Sequence, residues 1–310
     1  MKYCGLKSDN LIPRTTKSLF HLIFRTLTQK ISFVFLTMQT FTKVLLFFAS
    51  LFSFYHIYGQ GYYPMGGRSQ SMANASATLD DVWAFHHNPA ALTGVQKMEI
   101  GVSYENRFLL KEMQSQGVAF ALPLKRGVIS AGGQRFGYRN FLSYKAGIGY
   151  SMKLSELLSA GVQMNYVGVR LPENYGSKGT VTAEVGLLAK ITDKWKIGFS
   201  VFNIGRNKLA DYQEDRFSTI MRLGSSYSIS TKVMITAEAE KNVDYTMRGK
   251  FGVEYKLNDN FFLRGGFAST PIEGSFGFGY RFKELMKLDI GSAYHQVLGW
   301  SPHCSFSFQF

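Results

Sequence analysis

The stretch MRGKFGVEYKL, Met247 to Leu257, changes character at every second residue. Met247, Phe251, Val253, Tyr255 and Leu257 fall on one side of an extended chain, and Arg248, Lys250, Glu254 and Lys256 fall on the other. Side chains of a β-strand alternate between its two faces, so this is a strand with one apolar and one charged face. SFGFGYRF (Ser275–Phe282) repeats the arrangement, with Phe276, Phe278, Tyr280 and Phe282 opposite Ser275, Gly277, Gly279 and Arg281. EIGVSYE (Glu99–Glu105) does so with Ile100, Val102 and Tyr104. Turn signals such as Leu257-Asn258-Asp259-Asn260 and Glu273-Gly274 separate the runs.

Reading the chain this way gives about fourteen strands, beginning near residues 97, 116, 127, 142, 157, 180, 195, 219, 232, 247, 261, 274, 286 and 299. Residues 95–310 then allow roughly fifteen residues per strand and turn, which suits membrane-crossing strands of about 9–11 residues with short connections. A soluble barrel would need its apolar face in the centre, and a barrel this wide cannot fill its centre with side chains. A membrane barrel turns that face to lipid and the Gly, Ser, Arg and Glu face to the lumen. The expected lipid-facing residues include Phe251 and Phe278, and the lumen-facing ones Arg248 and Glu254. Phe108, Tyr138, Trp195, Tyr294 and Trp300 stand at strand ends and suit interfacial aromatic girdles. The last strand, CSFSFQF, carries Phe306, Phe308 and the terminal Phe310 on one face. It resembles the C-terminal signature of bacterial outer-membrane barrels, which implies recognition by the barrel-insertion machinery.

Composition agrees with one β-rich body: 310 residues hold 31 Gly, 27 Phe and 17 Tyr but 7 Pro, with 45% hydrophobic residues. A mean hydropathy of −0.06 is too low for a bundle of spanning helices. The net charge of +14 is partly a matter of residues 1–59, which contribute +6 and leave +8 spread along the strands. No basic run of the nucleic-acid-binding kind is present, so no nucleic acid is expected as a partner. Cys4 and Cys304 are the two cysteines, and no Cys/His pattern has metal-site spacing. No cofactor and no metal are expected. No Gly-x-Ser-x-Gly elbow occurs, and Gly277-Phe278-Gly279 lies inside a strand with no helix after it, so an enzyme is not expected.

Lys43 followed by VLLFFASLFSFYHIY (Val44–Tyr58) and Gly59 has the layout of a secretory signal peptide, assigned to residues 38–59 with translation starting at Met38. Residues 1–37 then read as an unused upstream or disordered stretch. Residues 60–94 form a plug region and residues 95–310 the barrel.

The plug region contains MANASATLDDVWAFHHNPAALTG (Met72–Gly94), the one part of the mature chain that reads as helix. Met72, Ala75, Leu79, Val82 and Trp83 recur at helical spacing, and Asn88, Pro89 and Gly94 suit the cap, first residue and exit of a second short helix. Asp80, Asp81, His86 and His87 lack the spacing of a metal motif and read as helix-end and plug residues. Gly66-Gly67, Asp80-Asp81 and Asn88-Pro89-Ala90-Ala91-Leu92 together resemble the N-terminal hatch of the FadL superfamily, fourteen-stranded outer-membrane barrels whose hatch ends in an Asn-Pro-Ala motif. The resemblance covers the hatch closely and the barrel in general character. In length the chain is closer to the compact PorV/PorQ-type members than to the long-chain fatty-acid transporters.

That resemblance implies an outer-membrane location, lipid contacts, and passive passage of a small hydrophobic ligand. The alternative it carries is a component of a type IX secretion or surface-attachment system, with secretion-system proteins as partners. It also draws attention to Gly132-Gly133 in the third strand, since FadL-type barrels kink that strand inward and open laterally to the bilayer. Paired glycines weaken a strand, and Gly265-Gly266 offers the same composition in the eleventh.

Overall fold

The computed structural model describes residues 64–170, 176–207 and 217–310, so the expected signal segment 38–59 and residues 1–37 lie outside the described residues. The first half of the wall consists of β1 (Glu99–Asn106), β2 (Gln114–Leu124), β3 (Gly127–Gly137), β4 (Leu142–Lys153), β5 (Leu158–Arg170), β6 (Ser177–Lys190) and β7 (Trp195–Phe202). The second consists of β8 (Ile220–Ser228), β9 (Val233–Asn242), β10 (Arg248–Lys256), β11 (Phe261–Ala268), β12 (Glu273–Phe282), β13 (Met286–His295) and β14 (Gly299–Gln309). Each starts within about three residues of the position its alternation predicts. Every strand pairs antiparallel with its chain neighbours, and β1 pairs with β14, so the sheet closes into a barrel without edges.

The faces follow the pattern. Phe251, Phe276 and Phe278 point outward and are 45%, 54% and 47% exposed, while Lys250, Glu254 and Arg264 point inward and are buried. Apolar residues such as Ile148, Val162, Met164 and Leu223 continue the exposed surface around the wall. A contiguous apolar surface of that extent is one that hydrocarbon covers, not water. Among the described residues no helix is long and apolar enough to cross a membrane.

Closure is local to the last strand. Phe306 pairs with Val102 and Leu288, and Phe308 with Ile100 and Met286. The Phe310 N–H donates to the Met98 carbonyl at 2.9 Å, and its ring meets Phe308 edge-on at 4.6 Å. The turns at this end share one device. The side-chain oxygens of Ser155, Thr192, Ser230 and Asn258 each accept from the N–H groups two and three residues on, which closes the short connections. Of the expected girdle residues, Tyr138, Trp195, Tyr294 and Trp300 are exposed. Phe108 is not: its backbone sits at φ 56°, its N–H donates to Ser301 Oγ, and its ring folds onto His295.

Gly132 and Gly133 do not interrupt the third strand. The β2–β3 register runs unbroken through Val118↔Gly133 and Ala119↔Gly132, and the β3–β4 register through Gly132↔Gly147 and Gly133↔Ala146. Strand pairing is therefore continuous across both glycines. Gly132 serves a different purpose. A Cβ on it would come within 2.7 Å of the Phe85 ring, so the bare backbone makes room for a residue inside the barrel.

Candidate functional site

The lumen is occupied by residues 64–95, almost all of them buried. Their regular structure is sparse: an α-helical turn over Gly67–Gln70 and 3-10 turns over Val82–His86 and Pro89–Gly94. The helix expected around Met72–Trp83 does not form, although Met72, Ala75, Leu79, Val82 and Trp83 are all buried as that spacing required. Ala73 and Asn74 take left-handed backbone angles, φ 53° and 60°, which end any helix at that point. The barrel wall replaces the missing helical hydrogen bonds. Ala73 N–H donates to Ser275 Oγ (2.7 Å), and the N–H groups of Ser76 and Ala77 both donate to Glu238 Oε2 (2.8 and 2.7 Å). Lys250 Nζ donates to the Asn74 carbonyl, and Thr236 Oγ1 to that of Ala75.

The Asn-Pro-Ala end is seated more tightly. Asn88 Oδ1 accepts from Ala90 N–H (3.1 Å) as the N-cap, while Nδ2 donates to the carbonyls of Ala77 (2.7 Å) and Leu187 (3.0 Å). Pro89 takes the first helical position, and its carbonyl accepts from Ser151 Oγ at 2.5 Å. Ala90 is fully buried. The wall beneath is bare glycine: a Cβ on Gly186 would lie 2.0 Å from Asn88 Oδ1, and one on Gly198 2.2 Å from the Ala77 carbonyl oxygen. Asp81 caps the preceding turn by accepting from Trp83 N–H and also accepts from Arg68 Nη1 (3.2 Å). Asp80 pairs with Lys196 at 2.6 Å. Burial pushes the Asp80 carboxyl up, but Lys196 and Arg68 together outweigh this and hold it below the usual carboxylate range.

Two kinds of contact hold this insert, on two sides of the barrel. Toward β8–β13 the contacts are ionic. Glu254 accepts from Arg68 Nε and Nη2 and from Arg264 Nε, and Arg264 Nη1 reaches Asp289. Lys250 Nζ pairs with Glu238 (2.9 Å) and Glu240 (2.8 Å), and Arg222 joins Glu240 to the His87 carbonyl. Toward β1–β6 the contacts are uncharged: Met65, Val82, Trp83, Phe85 and Leu92 pack with Ala119, Ala121, Val128 and Leu188, and the insert hydrogen-bonds to Ser103, Ser151, Ser159 and the Val118 and Leu187 carbonyls. Sequence reasoning placed the charged face in the lumen but missed this network. Its one visible signal was the density of Arg, Lys and Glu on the inward phase of β8–β11.

Neither family models nor curated protein sequences match the chain. Solved structures do. The CymD monoaromatic hydrocarbon channel superposes with a TM-score of 0.65 at 13% identity, over 81% of this chain and 99% of that one. The Ralstonia pickettii toluene transporter TbuX gives 0.61 at 12% identity, over 81% and 99%. A Pseudomonas aeruginosa FadL homologue gives 0.55 at 11% identity, over 79% and 96%. The chain has the FadL-type fold.

Within the insert, His86 and His87 are buried side by side. His86 Nε2 lies 3.1 Å from the Val118 carbonyl, which can only accept, so the proton of the neutral ring is on Nε2. Burial, reinforced by the charge of Lys145, pushes the His86 pKa down to about 3. Burial also holds His87 well below the usual range, with His86 and Arg222 adding to the effect. Its two ring nitrogens have no hydrogen-bond partner among the described residues, so nothing stands ready to stabilise an imidazolium. The sign of the pH effect follows. An exposed imidazole takes up its proton near pH 6.5, the buried one only near 3, so the opened hatch binds more protons between those values and acid favours opening. We expect acidification from pH 7 to 5 to weaken hatch closure by on the order of 2 kcal/mol for His86. Amide exchange over residues 82–95 in detergent measures this directly. Equal protection at both pH values would mean that the ring is not held neutral.

Proposed function

We propose that the chain is a bacterial outer-membrane channel for passive passage of small hydrophobic molecules, with the hatch as its gate. The observation that carries this reading is a lumen filled by the hatch within a fold shared with proteins named as hydrocarbon channels. The two-sided seating says how the gate works. On the β8–β13 side, displacement would separate Arg68 from Glu254 and take two hatch amides from Glu238, which costs several kcal/mol per uncompensated charge. On the β1–β6 side, displacement exposes the apolar cluster, at roughly 25 cal/mol per Å², and breaks neutral hydrogen bonds such as those of Asn88 to Leu187 and Ser151 to Pro89. An apolar solute entering that side covers the surface as it is exposed, whereas a polar solute would lose water with no partner in exchange. The apolar cluster of the hatch therefore favours apolar cargo. Export by the segment 38–59 and insertion through the Phe306, Phe308 and Phe310 strand belong to the same reading.

The test is uptake of radiolabelled toluene by outer-membrane-competent cells that lack other hydrocarbon channels. Cells displaying the chain should take up toluene several-fold faster than empty-vector cells, with no change for a sugar of similar size. Uptake no faster than empty vector would overturn the channel reading in favour of a docking platform for secretion-system proteins.

A further inference from the structure

Beneath the hatch, at the end of the barrel that carries Phe310, lies a cavity of about 220 Å³ whose lining includes Trp83, Phe262, Arg281, Lys287 and Ser307. Arg281, Lys287 and Ser307 stand in one row across three adjacent strands. The register pairs Arg281 with Lys287 across β12–β13, and Lys287 with Ser307 across β13–β14. Two like charges directly opposite each other on a sheet are destabilising unless something neutralises them.

The neighbouring acids are already engaged. Glu254 and Asp289 are held by Arg68 and Arg264, Asp81 by Arg68, Asp80 by Lys196 and Asp259 by Lys256. Lys287 approaches Glu99 Oε1 only to 3.7 Å, and the other oxygen of Glu99 accepts from Gln309. Arg281 makes no ion pair among the described residues. Its guanidinium lies over the Phe262 ring at 5.2 Å, and its Nε is buried without a hydrogen-bond partner. Arg281 without an ion pair and Lys287 with one loosely held acid thus stand side by side in a three-donor row. Strands stand about 4.8 Å apart, so a carboxylate can bridge the forked donors of Arg281 and the ammonium of Lys287. The faces of Trp83 and Phe262 offer the body of the ligand an apolar wall.

We propose that this cavity binds a small, singly charged organic acid, with its carboxylate on Arg281 and Lys287 and its apolar body against Trp83 and Phe262. The inference does not rest on passage of apolar solutes, because it is read by binding to the purified chain. Isothermal titration of the detergent-solubilised full chain with benzoate should show saturable binding, which benzamide, its neutral counterpart, does not compete away. Arg281→Gln and Lys287→Gln should each weaken benzoate binding at least ten-fold while leaving heat-modifiable gel mobility unchanged. Toluene uptake by the same variants should stay at the wild-type level, which separates failure of this site from failure of the channel. Three results would each overturn the proposal: no benzoate binding by the wild-type chain, equal affinity in both variants, or displacement by inorganic phosphate as effective as by benzoate. The last would indicate a site for phosphate or a lipid headgroup instead.

Discussion

Replacing Gly186 with valine is expected to unseat the hatch while leaving the barrel closed. A Cβ at this position would sit 2.0 Å from Asn88 Oδ1 and 3.0 Å from both Ala90 N and Pro89 Cδ. None of these atoms is the free end of a flexible chain. Asn88 is fixed by its bonds to Ala77, Leu187 and Ala90, so relieving the clash means breaking them. Buried groups left unpaired cost about 1–3 kcal/mol each, and three bonds are at stake. The wall itself loses nothing, because β6 pairs continuously with β5 and β7 and valine suits a strand. Arg68 reports the outcome as the one trypsin site between residues 64 and 95. It should be cut at least a hundred-fold faster in Gly186→Val, in a barrel with native heat-modifiable mobility. Wild-type protection of Arg68 would show that the hatch is not seated on this glycine.

Glu238→Ala should be the most destabilising single change on the ionic side. Glu238 accepts from two hatch backbone N–H groups and from Lys250, and all of these groups are buried. Removing the carboxylate leaves two donors and a lysine short of partners, at a cost of about 3–5 kcal/mol by analogy with other broken buried pairs. Glu238→Gln keeps one oxygen for the hatch amides and loses the charge, so its loss should be roughly half as large. Thermal unfolding of the solubilised protein should rank wild type above Gln above Ala. Identical melting of all three would mean that the network contributes nothing to closure.

The difference between what could be read from the chain and what could not has a physical basis. Strand positions and faces were legible because a period of two is local: Phe251 and Lys250 declare opposite faces without reference to any other strand. The Asn88-Pro89 turn was legible for the same reason, since a cap acts on the amide two residues away. The path of residues 71–81 was not legible. Several of its hydrogen bonds come from Ser275 and Glu238, far away in sequence, and helical spacing of the apolar residues fits any buried segment of that composition. Gly132-Gly133 was ambiguous because glycine pairs accompany both a bend and a close approach. The contact of Gly132 with Phe85 supplies the close approach, and it exists only once the hatch is in place. The facing of Arg281 and Lys287 likewise depends on the register of two neighbouring strands.

The central claim is that apolar solutes cross when the hatch moves. A Cβ built on Gly224 lies 2.9 Å from that of Ala77, so a cysteine pair there needs only a small shift to reach the 3.5–4.5 Å of a disulfide. In a Cys304→Ser background, which removes the exposed free thiol, Ala77→Cys with Gly224→Cys ties the hatch to β8. Toluene uptake should fall to the empty-vector level when the pair is oxidised and return to the wild-type rate on reduction. Equal uptake by the oxidised and reduced forms, with cross-linking verified, would contradict the account.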